Sequence, residues 1–249
     1  MSLAEPPNAS SASPAPSPAS DSYTRRRGEL RRYFDETASE TWARLTSDAP
    51  VSKIRATVRA GRDEMRALLL SWLPEDIRGA RILDAGCGTG AMAVALAERG
   101  AEVMAIDVAR SLVELAEQRA AEQLPADAAA RIGWLSGDML DPKLGRFDHV
   151  IAMDSLIHYR QHDMADAVAT LMRRTERSLI MTFAPRTKML ALMHAAGSVF
   201  PASDRSPRIE PIPARRLEAR LAERGLCIAR RQRIKRGFYI SEAAEVVSK

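Results

Sequence analysis

Hydrophobic residues recur in this chain in two alternating patterns, which predict strands interleaved with helices. Short apolar runs lie at 81–84, 102–106, 131–136, 147–153 and 178–183, and apolar residues at helical spacing lie at 91–99, 111–123 and 161–176. We expect Ser111 to cap the second of these helices. Such alternation predicts an α/β fold with a doubly wound, mostly parallel sheet.

Both ends of the chain depart from this alternation. Residues 1–22 are rich in Ser, Ala and Pro and lack a continuous apolar stretch, so they predict a disordered tail and not a secretory signal. Residues 23–75 are helical in pattern, with an amphipathic helix at 61–73, and predict an N-terminal arm that packs on the core or covers it as a lid. The remainder, 76–249, forms one domain, in which a cap segment at 186–213 precedes two strand-like runs that predict a terminal hairpin.

The first strand leads into a glycine loop, Asp84-Ala85-Gly86-Cys87-Gly88-Thr89-Gly90. Glycines there allow a tight turn and a close approach of backbone to a ligand, and the next helix directs free N–H groups towards it. The spacing also fits the dinucleotide fingerprint G-x-G-x-x-A. However, Asp84 would repel a pyrophosphate and would attract a ligand with ammonium and sulfonium centres. The loop resembles motif I of the class I S-adenosylmethionine (SAM) methyltransferases, and an alternative is a dinucleotide enzyme.

Further acidic residues follow the next strands, at the edge of the sheet where open α/β folds bind ligands. Asp107 ends strand two and is placed to hold the ribose hydroxyls. Asp138 and Met139 follow strand three, where an acidic and an apolar residue would contact adenine. The predicted cofactor-binding set comprises Asp84, Gly86, Cys87, Gly88, Gly90, Asp107, Val108, Asp138, Met139 and Met153.

Composition and charge limit the remaining possibilities. Two cysteines provide no disulfide framework and predict free thiols in a reducing, cytoplasmic compartment. The four histidines lack metal-site spacing, so no protein-bound metal is expected. Net charge is +5, and residues 186–236 hold 13 basic against 4 acidic residues. That segment suits nucleic acid, anionic lipid or an acidic small molecule. A solvated helix face would explain any single arginine equally well, but the cluster less well.

The segment after strand four, Met153-Asp154-Ser155-Leu156-Ile157-His158-Tyr159, lies where an acceptor would be held. It lacks the loop sequences of the exocyclic-amino and C5-cytosine methyltransferases, and the chain lacks a nucleic-acid-binding module. A nucleobase acceptor is therefore not expected. His158 is the candidate acceptor-side residue of this segment.

Several stretches together resemble the magnesium-protoporphyrin IX O-methyltransferases of (bacterio)chlorophyll synthesis, from about residue 30 to the C-terminus. They include the loop at 84–90 and the segment at 153–159. The other matching stretches are Tyr33-Phe34, Trp42-Ala43-Arg44-Leu45, Val51-Ser52-Lys53-Ile54-Arg55, Thr182-Phe183-Ala184-Pro185-Arg186-Thr187 and Gly197-Ser198-Val199-Phe200-Pro201. The resemblance implies a seven-stranded sheet, SAM as co-substrate and methylation of a porphyrin propionate. It also places the family's acceptor-side tyrosine and histidine at Tyr33 and His158, as the catalytic pair that orients the carboxylate.

The resemblance also suggests two partners beyond magnesium-protoporphyrin IX, which are the large porphyrin-binding subunit of magnesium chelatase and, peripherally, the inner or photosynthetic membrane. Other interpretations remain open at this stage. They are a methyltransferase acting on another small molecule, such as a quinone or fatty acid, a nucleic-acid methyltransferase, and a non-catalytic SAM-binding partner of the chelatase.

Overall fold

The computed structural model describes residues 20–37, 53–186 and 208–249, which form one sheet with helices on both faces. The strands are β1 (Arg81–Ala85), β2 (Glu102–Asp107), β3 (Ile132–Ser136), β4 (Phe147–Ala152), β5 (Thr175–Phe183), β6 (Leu226–Arg236) and β7 (Tyr239–Ser248). Their order is β3-β2-β1-β4-β5-β7-β6. The first five are parallel, and β7 runs antiparallel between β5 and β6. The predicted seven-stranded sheet with a terminal hairpin is confirmed.

Helices cover this sheet, and the first two of them form the N-terminal extension. They are α1 (Asp21–Arg32), α2 (Lys53–Ser71), α3 (Ala91–Glu98), α4 (Arg110–Gln123), α5 (Ala126–Ala129), α6 (Gln161–Met172) and α7 (Ala214–Ala222). A π-helical turn, Tyr33–Thr37, continues α1, and short 3-10 turns lie at Pro142–Leu144 and Leu156–His158.

Successive residues of the central strands enter two different apolar clusters. On β1, Leu83 belongs to one cluster and Ile82 to the other, and β4 divides Val150 and Ile151 in the same way. Side chains alternate across a strand, so a sheet covered on both faces needs apolar residues at consecutive positions. This is why the central strands appear in the sequence as continuous apolar runs.

Three expectations about boundaries differ from the structure. Ser20 accepts a hydrogen bond from the Tyr23 N–H and caps α1, so the expected end of the tail at residue 22 falls inside a helix. Helix α2 begins at Lys53, well before the predicted start at 61. Ser111 does not cap α4, because the helix starts at Arg110 and Ser111 instead donates through N and Oγ to Asp35 of the π-helical turn. The predicted helix at 188–199 and most of the cap segment lie outside the described residues.

The four arginines of β6 form ion pairs within the fold. Arg231 and Arg233 both contact Glu242 on β7, Arg230 pairs with Glu245, and Arg236 pairs with Glu64 of α2. Charged side chains on an edge strand discourage pairing with other chains. Part of the positive charge of the predicted basic segment therefore belongs to ion pairs of an edge strand, where it also discourages pairing with other chains.

Candidate functional site

The glycine loop after β1 is held close to the segment that follows β4. Gly86 and Cys87 donate their N–H groups to the Ile106 carbonyl oxygen, at 2.8 and 3.0 Å. Gly86 has φ +88°, and a Cβ at this position would lie 2.2 Å from the Ser155 Cβ. Glycine is therefore required at 86 both by backbone conformation and by space.

The other loop residues act in different ways. The Gly88 N–H donates to Asp107 Oδ2 at 2.9 Å, which joins the loop to the end of β2. Gly90 caps α3 in the left-handed conformation, and a Cβ there would approach Trp134 to 2.8 Å, so its small size is explained by packing. The Cys87 side chain is buried in an apolar cluster, and burial raises the pKa of its thiol. Both cysteines are free thiols, as expected.

Asp84 is a buried carboxyl group that has a backbone hydrogen bond from Ala93 but no cationic partner among the described residues. It is 1% exposed, and its Oδ2 atom has no hydrogen-bond partner within the described residues. Burial, together with the charge of Asp107, raises the pKa of Asp84 to about 7. A desolvated carboxylate of this kind is costly unless a cation binds it. An ammonium group of a methionine-like ligand would offset this cost, and the assignment of Asp84 to that group stays a prediction.

We expect SAM affinity to fall below pH 7 because the ammonium group requires ionised Asp84. With a pKa of about 7 in the free protein, the Kd at pH 6 should be about tenfold higher than at pH 8. The same raised pKa destabilises the free protein progressively as pH rises from about 4 to 7, and bound SAM offsets this effect. Isothermal titration calorimetry in buffers of different ionisation enthalpy would show nearly one proton released at pH 6. A Kd and proton count independent of pH would contradict this assignment.

A cavity lies at the carboxyl ends of β1, β2 and β4, as expected for an open α/β sheet. It has a volume of about 40 Å³ and is lined by Leu30, Gly86, Ile106, Asp107, Val108, Gly137, Met139, Ser155 and Tyr159. Ser155 Oγ is buried without a hydrogen-bond partner in the described part of the chain. Like Asp84 Oδ2, this atom is available to hydrogen-bond a ligand. The chemistry of these residues suits a nucleoside ligand. The volume, however, is only slightly larger than that of one water molecule and is too small for a nucleoside.

Helix α1 explains why the cavity is small. Tyr23 stacks on Tyr159 with ring centroids 4.7 Å apart, and its hydroxyl donates to Asp138 Oδ1 at 2.8 Å. Arg27 contacts the other oxygen of the same carboxylate, and Leu30 forms part of the cavity wall. The N-terminal arm thus covers the cavity and engages the residue that the sequence assigned to adenine. A bound nucleoside would require α1 to shift.

Tyr23→Ala should therefore bind SAM faster. It removes a ring stack and a hydrogen bond to a charged group, which together lower the free energy of moving α1 by about 2 kcal/mol. We expect the SAM association rate in stopped-flow measurements to rise up to about 30-fold. Tyr23→Phe, which keeps the stack, should give a smaller increase. Association at the wild-type rate in both variants would show that α1 does not limit access.

The remaining predicted cofactor residues occupy defined positions. Asp107 and Val108 line the cavity, and Asp107 also accepts from the Ala109 N–H at 2.9 Å. Each carboxylate oxygen has two lone pairs, so these backbone contacts leave capacity for ribose hydroxyls. Met139 lines the cavity, whereas Met153 packs in an apolar cluster on the other face of the sheet.

Asp154 holds the segment after β4 in an unusual conformation. Its φ of +53° is rare for a residue other than glycine and costs about 1–3 kcal/mol. The Tyr239 and Thr182 hydroxyls both donate to its carboxylate at 3.1 Å, and Arg62 Nε lies 3.8 Å away. These contacts from β5, β7 and α2 offset the strain and fix the turn that leads to His158.

His158 and Tyr33 lie on the same side of the site, connected through Phe34. The Phe34 ring contacts Tyr33 edge-on at 5.1 Å and His158 at 6.3 Å between centroids. His158 Nδ1 lies 3.3 Å from the Arg208 carbonyl oxygen, and the residue is 8% exposed. Burial is the main cause that lowers the pKa of His158 to about 4; the charges of Arg26 and Arg62 act in the same direction, and the hydrogen bond to the Arg208 carbonyl acts against them. The ring is therefore neutral at pH 7.

The other three histidines behave as ordinary structural residues where they are described. His149 is buried beside Ser178, and His162 lies in the first turn of α6, as expected, while His194 is outside the described residues. In the described ranges, no group of three or more His, Cys, Asp or Glu side chains could hold a metal ion. No helix in these ranges is long and apolar enough to cross a bilayer.

Among the residues that sequence reasoning did not assign to the site are Tyr23, Arg27, Ser155 and Tyr159. Ser155 and Tyr159 lie within the segment that the sequence singled out, but their positions depend on how the turn folds. Tyr23 stood at the edge of the expected tail, and its only signal was an aromatic residue preceding a run of arginines.

Comparisons with known proteins identify the family of this chain. The family model of the magnesium-protoporphyrin IX methyltransferase C-terminus matches residues 152–248, and a general methyltransferase-domain model matches 82–177. The magnesium-protoporphyrin O-methyltransferase of Rhodobacter capsulatus is 45% identical over 224 residues, which cover 90% of this chain and 97% of that protein. The chloroplastic magnesium protoporphyrin IX methyltransferase of Arabidopsis thaliana is 30% identical, with coverage of 88% and 70%.

A solved structure shows the same architecture. The crystal structure of magnesium protoporphyrin IX methyltransferase from Synechocystis PCC 6803 with bound SAH (S-adenosylhomocysteine) matches with a TM-score of 0.78 and 29% identity. The match covers 90% of this chain and 100% of that one.

Proposed function

Because the chain belongs to the magnesium-protoporphyrin O-methyltransferase family, we propose that it transfers a methyl group from SAM to a propionate carboxylate of magnesium-protoporphyrin IX. The products are the monomethyl ester and S-adenosylhomocysteine, in (bacterio)chlorophyll synthesis. The observation that carries the proposal is the buried Asp84 carboxylate next to the glycine loop, whose Oδ2 atom has no hydrogen-bond partner within the described residues. This arrangement suits the cationic methionyl end of SAM.

The remaining cofactor contacts follow from the cavity. Asp107 and Val108 receive the ribose and adenine from the β2 side, and Met139 contacts the adenine ring. When α1 moves, the Tyr23 hydroxyl no longer donates to Asp138, and the Asp138 carboxylate can accept a hydrogen bond from the adenine amino group. The chain's own residues thus bind SAM by charge at one end and by apolar contact at the other.

The chemistry requires positioning more than proton transfer. A propionate is ionised at neutral pH and needs no general base, and its negative charge cancels the sulfonium charge as the methyl group moves in line. Orientation of the two reactants can contribute up to about 7–11 kcal/mol. Tyr33, His158 and the covering arm lie where the acceptor would be oriented and water excluded.

Incubation with methyl-labelled SAM and magnesium-protoporphyrin IX tests this function. We expect label in a base-labile porphyrin ester, together with S-adenosylhomocysteine, and no label when Asp84→Asn replaces the wild-type protein. Label in RNA would instead indicate a nucleic-acid methyltransferase. Label in a quinone or fatty acid only would indicate another small-molecule enzyme, and SAM binding without transfer would indicate a non-catalytic partner.

We further propose that the protein works in the cytoplasm, in contact with the large subunit of magnesium chelatase and the surface of an anionic membrane. The porphyrin is a bulky apolar product of the chelatase, so direct transfer would keep it out of water. Arg215, Arg216 and Arg220 are exposed on α7 and would face such a surface. Co-sedimentation with anionic vesicles should decline as salt rises, and binding insensitive to salt would contradict an electrostatic contact.

A further inference from the structure

Helix α1 and the loop after β3 form a wall between two spaces. Residues 137 and 139 of the loop line the small cavity, whereas residues 138 and 140 line an open groove of about 960 Å³ between α1 and α6. Helix α1 divides in the same way, since Leu30 lines the cavity and Tyr23 and Arg27 line the groove. A shift of α1 would therefore join the two spaces and provide the room that a large acceptor requires.

Arg27 lies in this wall and has Asp138 as its one carboxylate partner among the described residues. Its neighbour Arg26, by contrast, donates to two backbone carbonyls and pairs with Glu29. The Asp138 carboxylate keeps its orientation without α1, because its Oδ1 atom also accepts from the Leu140 N–H at 3.0 Å. When adenine replaces α1 on this carboxylate, Arg27 is therefore the group that loses its partner.

The start of α1 is attached to the core where the cofactor does not reach. The hydroxyls of Ser20 and Ser22 both donate to Oδ1 of Asp163, a buried residue of α6, and the Ser22 bond measures 2.7 Å. Asp163 lines the groove and is not part of the cavity wall. These bonds persist when the middle of α1 moves, so Arg27, about two turns further along the helix, stays close to the site.

We propose that the guanidinium released from Asp138 binds the second propionate of magnesium-protoporphyrin IX, which is the propionate that is not methylated. The inference rests on the proposed function. A cation on the reacting carboxylate would weaken the nucleophile, whereas a cation on the other carboxylate orients the acceptor without that cost. The planar guanidinium of Arg27 presents paired N–H donors that match a carboxylate.

This exchange of partners couples the two substrates. SAM occupies Asp138 and releases the cation that binds the acceptor, so SAM raises the affinity for the acceptor. By linkage, the acceptor raises the affinity for SAM by the same factor. The exchange also favours a single methylation. A monomethyl ester that directed its remaining carboxylate to the methyl donor would place an uncharged ester at Arg27.

The test measures the dissociation constant of magnesium-protoporphyrin IX by fluorescence, with and without saturating S-adenosylhomocysteine, which supplies adenine but no methyl group. In wild-type protein we expect S-adenosylhomocysteine to tighten acceptor binding about tenfold. With S-adenosylhomocysteine present, Arg27→Gln should bind the acceptor about 10–100-fold more weakly than wild type, and the coupling should fall below about twofold. S-adenosylhomocysteine alone should bind Arg27→Gln about 3–10-fold more tightly, because Asp138 no longer pairs with an arginine.

Two further variants separate the position of the charge from its presence. Arg25→Gln removes the same charge from an exposed position of α1 and should change both dissociation constants less than about twofold. Arg27→Lys keeps the charge without the planar donor pair, so its acceptor affinity should lie between those of wild type and Arg27→Gln. If Arg27→Gln does not fold, as judged by S-adenosylhomocysteine binding, Arg27→Lys serves in its place.

The two isomeric monomethyl esters of magnesium-protoporphyrin IX test the carboxylate directly. In wild-type protein with S-adenosylhomocysteine, the isomer esterified at the non-reacting propionate should bind at least about tenfold more weakly than the diacid. In Arg27→Gln the same isomer and the diacid should bind alike, because the partner of the missing carboxylate is also missing.

Two results would overturn the exchange. Tighter binding of S-adenosylhomocysteine to Arg27→Gln with unchanged acceptor affinity would show that Arg27 only holds the closed arm. Weaker binding of S-adenosylhomocysteine with unchanged acceptor affinity would show that Arg27 contacts the cofactor. Failure of the proposed function is distinct, because wild-type protein would then methylate no porphyrin. If wild type methylates magnesium-protoporphyrin IX and Arg27→Gln binds it equally well, the function stands and the exchange alone is wrong.

Discussion

Gly86→Ala should abolish methyl transfer and destabilise the protein by about 2–4 kcal/mol. The new Cβ would lie 2.2 Å from the Ser155 Cβ, and φ at this position is +88°, so both contact and backbone conformation are unfavourable. Relief would require the glycine loop to separate from the segment after β4. That movement would displace Asp84 and Ser155, the two residues with unpaired buried oxygens. Thermal unfolding, SAM titration and label transfer measure the effects.

Two companion variants separate strain from contact. Gly79→Ala also introduces a side chain at positive φ, +69°, but no atom lies within 4 Å of its Cβ, so it should be less destabilising and leave SAM affinity intact. Ser155→Gly removes the contacted atom and should recover part of the stability lost in Gly86→Ala, with a coupling energy above about 0.5 kcal/mol. Full activity in Gly86→Ala would contradict the prediction, because it would show that the glycine loop can separate from the segment after β4 without loss of function.

Asp84→Asn should raise the SAM Kd at least 100-fold at pH 8, and it should also stabilise the free protein by roughly 1–3 kcal/mol. The substitution removes a charge that is 1% exposed and whose Oδ2 atom has no partner in the described residues. Stability therefore improves when the ligand is absent. Binding is lost because an amide cannot neutralise an ammonium group. Calorimetric titration and thermal unfolding without ligand measure the two effects.

The opposite signs of these two effects distinguish a binding residue from a structural one. If the carboxylate stabilised the fold, its substitution would lower the stability of the protein. Asp127→Asn is a suitable control because that side chain is 73% exposed and pairs only with Arg131 in the described contacts, so both quantities should change little. Wild-type SAM affinity in Asp84→Asn would contradict the assignment and the predicted pH dependence together.

The strands and the parallel sheet could be predicted because they depend on local patterns. Consecutive apolar residues such as Ile82 and Leu83 indicate a strand buried on both faces, and parallel strands bring Asp84 and Asp107 to one edge. The Ser111 cap was wrong because a serine at a helix start usually accepts from its own helix, whereas here Asp35, 76 residues away, takes both of its donors. No local pattern contains that partner.

The sequence by itself determined the sheet, the glycine loop, the acidic residues at the strand ends and, through resemblance, the family. Only the tertiary structure decided how these residues are used. It placed Tyr23 and Arg27 on Asp138, left Asp84 Oδ2 without a partner, and directed the His158 Nδ1 proton towards the Arg208 carbonyl. The physical reason is that periodicity and spacing act over a few residues. Desolvation, tautomer and access depend on groups that are distant in the chain and meet only after folding.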